Sequence, residues 1–160
     1  MIHILTTGGS IDKVYSPVVS DLVIGEPQIA RILNEAYANL EVVVDQLFRK
    51  DSLEITDEDR ALIHEKVRTS PHRQIVISHG TDTLTLTARA LMDIPDKVIV
   101  LTGAMQPAAF KQSDAAFNIG CALGAVQALS PGVYVVMSGR IFHPEKTRKN
   151  VLTNQFESVE

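Results

Sequence analysis

The chain has 160 residues, of which 45% are hydrophobic and 21% charged, with a formal net charge of -4 at pH 7. That length fits one domain around one core, and the composition argues against extensive disorder. The acidic balance offers no general field for a nucleic-acid backbone, and no run of about 18 apolar residues is present to cross a bilayer.

Taken in order, apolar β-branched runs alternate with helical patterns. The segments "IHIL", "LEVVVDQL", "QIVIS", "KVIVL" and "VYVVM" read as strands. Between them, "EPQIARILNEAYANL" places Ile29, Ile32, Leu33 and Ala36 on one helical face. "TDEDRALIHEKVRTS" opens on an N-cap candidate, Thr56, followed by acids suited to the helix dipole. A short helix is expected at "TLTLTARALM" and a long one at "SDAAFNIGCALGAVQAL", where small residues permit close packing. Strands as continuously apolar as "VVV" and "VIV" require cover on both faces. The pattern predicts an α/β fold: a doubly wound, mainly parallel sheet with helices on both faces, in one domain spanning residues 1–160. The segment from Gly139 to Glu160 is short and polar, and is expected to be irregular, partly helical or ordered by a neighbour.

The start, "MIHILTT", has no basic region followed by an apolar stretch and cleavage site, so the expected location is cytoplasmic. Cys121, the one cysteine, sits in an apolar helical pattern and reads as a small buried hydrophobe. His3, His64, His72, His79 and His143 show no metal-ligand spacing, and no metal or cofactor is expected.

Three strand ends share a design: "ILTTGGS", "VISHGTDT" and "VLTGAMQP" each run from apolar residues into glycine and hydroxyls. Glycine exposes backbone N–H groups, and a helix starting nearby aims further donors at the same place, which suits a small anionic substrate. Neither G-x-x-x-x-G-K-[ST] nor G-x-G-x-x-G occurs, so nucleotide binding lacks its usual anchors. Ser10, His79 and Asp82 can be written as a triad, but no G-x-S-x-G elbow is present, and His79 reads as a packing residue. For Thr81, Asp82 and Lys149 two readings stand on the residues alone. Asp82 holds a substrate ammonium while the Thr81 hydroxyl faces the reacting carbon with Lys149 as base, or Thr81 and Asp82 cap the next helix and Lys149 belongs to a solvated face.

Together, "TTGGSID", "SHGTDTLTLTARAL" and "VLTGAMQP" resemble the bacterial-type L-asparaginases, threonine amidohydrolases with a TGGTI-like and an HGTDT-like turn. The resemblance covers most of the chain and is to the family's N-terminal domain, without a second, C-terminal domain. It implies hydrolysis of L-asparagine to L-aspartate and ammonia with no cofactor. It makes Ser10 the acyl-accepting hydroxyl, Tyr15 its polarising neighbour, and Thr81, Asp82 and Lys149 a second catalytic group. Substrate contacts are implied at Gly9, Ser52, Gly80, Thr81, Asp82 and Ala104, with Ser52 on the α-carboxylate and Asp82 on the α-amine. Arg148 competes for the lysine role, but a guanidinium is a poor base.

This sequence departs from the family pattern in three ways. Ser10 replaces the usual threonine and loses the β-branch that restricts χ1, which predicts lower activity. Leu53 follows Ser52 where glutamine is common. A single-domain member of this length is expected to lack the acidic group that longer members contribute from a C-terminal domain. Alternatives are a glutaminase or amidotransferase-associated amidase, and an aspartate- or asparagine-binding module with impaired catalysis. Assembly into a homodimer or homotetramer is expected, with the stretch from Ala115 to Ala128 available for close helix packing. No nucleic-acid or membrane partner is expected.

Overall fold

β1 (Ile2–Gly8) is buried along its whole length, as a strand covered on both faces must be. The computed structural model describes residues 1–160. After β1 come a 3-10 turn at Ser10–Asp12 and an antiparallel hairpin of β2 (Lys13–Ser16) and β3 (Asp21–Ile24). There follow α1 (Ile29–Glu35), β4 (Val42–Lys50), α2 (Asp57–Thr69), β5 (Gln74–Ser78), α3 (Leu84–Ala90), β6 (Val98–Thr102) and α4 (Ala115–Ala128). The chain ends with β7 (Gly132–Met137), β8 (Arg140–Phe142), and a hairpin of β9 (Thr147–Asn150) and β10 (Gln155–Ser158).

The main sheet has the order β4-β1-β5-β6-β7-β8, parallel except for β8, which turns back on β7. Among the parallel strands, the first in sequence therefore lies between the second and the third. Connections leave β1 and β5 toward opposite sides, and a crevice opens over their carboxyl ends, where open α/β sheets bind ligands. One face of the sheet, with Ile4, Val76 and Val100, packs on α1 through Ile29 and Ile32 and on α4 through Ile119, Ala122 and Val126. The other, with Leu5, Ile77 and Leu101, packs on α2 through Ile63 and Val67 and on α3 through Leu84 and Ala88. The sheet is doubly wound, as the sequence pattern predicts.

Three segments differ from expectation. The helix predicted over 26–40 is confined to Ile29–Glu35, bounded by Pro27 and by Tyr37 at φ 53. Residues 13–24, which showed no element signal, form the β2–β3 hairpin. The polar tail is mostly strand: it supplies β8, a 3-10 turn at Pro144–Lys146, β9 and β10, held to the core by Phe142 and Phe156, each 3% exposed. No helix is long and apolar enough to cross a membrane.

Candidate active site

The site grows from the turns that leave β1, β4 and β5. At Gly9 φ is 85°, and an added Cβ would fall 2.5 Å from Gly80 Cα; at Gly80 it would fall 2.6 Å from Ser52 Cβ. Only residues without side chains let three turns approach this closely, so the two glycines bring the loops bearing Ser10, Ser52 and Thr81 together at the switch point of the sheet. Ser52 is 2% exposed, and its carbonyl accepts a bond from Thr83 Oγ1 at 2.7 Å. Leu53, beside it, points outward.

Lys149 reaches this point from β9. Its Nζ donates to Thr81 Oγ1 at 2.7 Å and to Asp82 Oδ1 at 2.8 Å. The lysine side chain is only 16% exposed, so it does not belong to a solvated face. Nor do Thr81 and Asp82 cap a helix: α3 begins at Leu84 after Thr83, with no side-chain cap. Arg148, the neighbouring cation, instead donates to Glu157 Oε1 at 2.6 Å. The N–H groups of Thr81 and Ala104 donate to no backbone carbonyl, which leaves two donors at the ends of β5 and β6.

Tyr15 is not brought to this cluster. It lies on β2, paired in register with Leu22, and is 64% exposed. Ser10 is partly buried at the head of its 3-10 turn.

Several residues support these turns, of which only His79 was read from the sequence, as a packing residue. His79 is completely buried under the turn, with Nδ1 2.7 Å from the Gly80 carbonyl and Nε2 2.8 Å from Thr87 Oγ1. A carbonyl can only accept, so Nδ1 carries the proton and Nε2 accepts from Thr87. Burial pushes the His79 pKa down to about 4, so the ring is neutral and serves packing, as its strand-end position suggested. Asp114 accepts from the N–H groups of Met105 and Gln106, both at 2.9 Å, and Asn118 donates to the Gly103 carbonyl, which fixes the loop of Ala104. Asp114 was visible only as a polar residue before a helix. Thr6 Oγ1 and Ser78 Oγ, register partners on β1 and β5, are buried without a hydrogen bond.

A doubly wound α/β domain thus carries, at its switch point, a hydroxyl turn beside a threonine-aspartate-lysine cluster. The family model "Asparaginase, N-terminal" matches residues 1–160, and the chain belongs to that family. It is 34% identical over 139 residues to an L-asparaginase of Thermococcus kodakarensis, across 82% of this chain and 42% of that protein. It is 29% identical to a glutaminase-asparaginase of Acinetobacter glutaminasificans, across 97% of this chain and 52% of the relative. A third relative, from Methanococcus vannielii, is one of the subunits of a glutamyl-tRNA(Gln) amidotransferase; it is 33% identical across 88% of this chain and 34% of its own length. The solved thermostable L-asparaginase from Thermococcus kodakarensis superposes with a TM-score of 0.83 at 29% identity, covering 98% of this chain and 50% of that one. The chain thus spans about half the length, or less, of these relatives.

Proposed function

We propose that the chain is an amidohydrolase that converts L-asparagine to L-aspartate and ammonia without a metal or organic cofactor. The observation that carries the reading is the three-way contact of Lys149 with Thr81 and Asp82, set against the turn of Ser10 by the Gly9–Gly80 approach. Ser10 Oγ attacks the amide carbon, its proton passes to the leaving nitrogen, the C–N bond breaks and ammonia leaves; water then attacks the acyl-enzyme ester, giving one proton back to Ser10 Oγ as the ester bond breaks and aspartate is released. Thr81 with Lys149 manages proton transfer on the other side of the carbon and directs the second attack, and Asp82 holds both Lys149 and the substrate amine. Ser52 receives the α-carboxylate, and the N–H groups of Thr81 and Ala104 face the developing oxyanion, each such donor being worth about 3 kcal/mol. Tyr15 assists Ser10 from the β2–β3 hairpin, and the backbone at Gly9 and Gly80 borders the substrate. Serine at position 10 makes the nucleophile less well oriented than threonine would.

The test is ammonia release from L-asparagine and L-glutamine. The parent turns over asparagine faster than glutamine, and Ser10→Ala, Thr81→Val and Lys149→Met each lose about 1,000-fold or more in kcat. Ser10→Thr raises kcat. Aspartate binding without ammonia release by the parent would leave a binding module instead. A second reading, a glutaminase or an ammonia-releasing component of an amidotransferase, is favoured by the likeness to the Methanococcus vannielii protein; faster glutamine turnover would select it. We further propose that residues 1–160 work as one domain, that copies assemble as a homodimer or homotetramer, and that the location is cytoplasmic. A solved neighbour, 27% identical with a TM-score of 0.79, is described as a "Probable Cytoplasmic L-asparaginase" from Campylobacter jejuni.

A further inference from the structure

The β2–β3 hairpin buries none of its residues 13–24, and its tip is open to water, with Val18 91% and Val19 59% exposed. Its placement must therefore come from its base. There a single residue, Asp12, touches both ends. It immediately precedes β2; its carbonyl accepts the N–H of Gly25, just beyond β3, at 2.9 Å; and its carboxylate Oδ1 accepts the N–H of Gln28 at 2.9 Å. Its own N–H donates to the Gly9 carbonyl at 3.1 Å, within the turn that carries Ser10. Asp12 is 3% exposed, an unusual place for a carboxyl group, and a burial that costs free energy unless the group is paired.

We infer that Asp12 is a positioning residue for the proposed amide hydrolysis: its carboxylate ties Gln28, in the segment that returns from β3 into α1, to the turn that bears Ser10, and so latches the base of the hairpin that carries Tyr15. The inference rests on the proposed function for its catalytic meaning and on the hydrogen bonds alone for the latch. Arg49, from the neighbouring β4, is the cation that acts on this carboxylate, and is itself held by Glu26 at 2.6 Å and by Gln46 at 3.1 Å. The other charged groups nearby are engaged elsewhere. Lys13 on β2 pairs with Asp51, and Arg31 on α1 bonds Gln28, Glu35 and the Ala108 carbonyl. Burial raises the Asp12 pKa to about 6, against the smaller lowering by Gln28 and Arg49. Burial disfavours the charge more than these contacts favour it, so the closed base of the hairpin gains stability as the carboxyl takes up a proton at mildly acidic pH, with an oxygen still accepting the Gln28 N–H.

The test compares amide hydrogen exchange, corrected for intrinsic rates, with kinetics on L-asparagine for the parent, Asp12→Ala and Asp12→Asn. Asp12→Ala lowers protection of the hairpin amides, and kcat, by about ten-fold each, as loss of a charged hydrogen bond of about 1.5 kcal/mol requires, while amides of β5 and β6 keep their protection. Asp12→Asn keeps an oxygen acceptor, restores most of the protection, and loses the rise in protection that the parent shows between pH 7.5 and pH 5, as the closed state takes up the Asp12 proton first. Hairpin protection in Asp12→Ala equal to the parent's overturns the latch. Protection lost at unchanged kcat overturns the positioning role. If the parent releases no ammonia from either amide, the proposed function fails and, with it, the catalytic meaning of the latch; the exchange arm still decides the latch itself.

Discussion

Asp12 and His79 respond to acid in opposite senses. The native pKa of His79 lies below its ordinary value, so the unfolded chain binds the proton more tightly. The stability that His79 provides is complete above pH 6.5 and is lost as the pH falls through about 4, a loss of about 3 kcal/mol for a shift of this size. Asp12 is raised instead, so the native chain takes up its proton first, near pH 6, and stability rises by about 3 kcal/mol between there and the ordinary carboxyl range. The two largely offset each other over the same interval. Urea titrations at several pH values between 7.5 and 4.5 will therefore show a steeper acid loss in Asp12→Asn and a shallower one in His79→Gln. Unchanged slopes in the two variants would mean that water reaches these groups in the native state. The packing role of His79 was legible from its place before the "GTDT" turn, whereas the burial of Asp12 was not: a carboxyl after "GGSI" gains its meaning from the strands and loops that close over it.

Secondary elements divide by how much of their stability is local. In α2 the cap is written into the sequence: Thr56 Oγ1 accepts the Asp59 N–H at 3.1 Å, and Asp59 returns the bond to the Thr56 N–H at 2.9 Å. Asp59 also holds Lys50 of β4 at 2.7 Å, so the box joins helix to sheet close to Ser52. Thr56→Ala should cost about 1 kcal/mol in chemical unfolding, with the denaturant slope unchanged. The five parallel strands were readable for a similar reason, since continuous apolar runs have one stable environment. The β2–β3 and β9–β10 hairpins were not. "KVYS", "DLVI" and "TRKN" are four residues each, with one face or both toward solvent, and take their conformation from partners that sequence periodicity does not reveal. The motif turns around Ser10 and Thr81 could be placed because glycine marks them, whereas the position of Lys149 against Thr81 depends on a strand that had no strand signal.

At the scale of the molecule, the candidate site joins the two ends of the chain, with Ser10 in the first turn and Lys149 in the terminal hairpin. What fixes that hairpin is visible in its register. Lys149 on β9 lies directly opposite Phe156 on β10, and the Phe156 ring packs against Phe142 at a centroid distance of 6.5 Å within the core face that covers α2 and α3. Arg89 of α3 adds a bond to the Pro144 carbonyl at 3.0 Å. One aromatic side chain thus anchors the strand pair that presents the lysine, and stability and the proposed activity should fall together when it is cut back. Phe156→Ala is expected to lose about 3–5 kcal/mol, the usual cost of removing a buried aromatic ring. Phe156→Leu, which keeps most of the apolar volume, should lose less stability yet still let β9 move against Thr81, and so show reduced ammonia release at a temperature where the chain remains fully folded. Melting curves measured beside turnover at 15 °C separate the two effects. Activity in the leucine variant equal to the parent's would show that Lys149 is held by its bonds to Thr81 and Asp82 alone, with no help from the core beneath it.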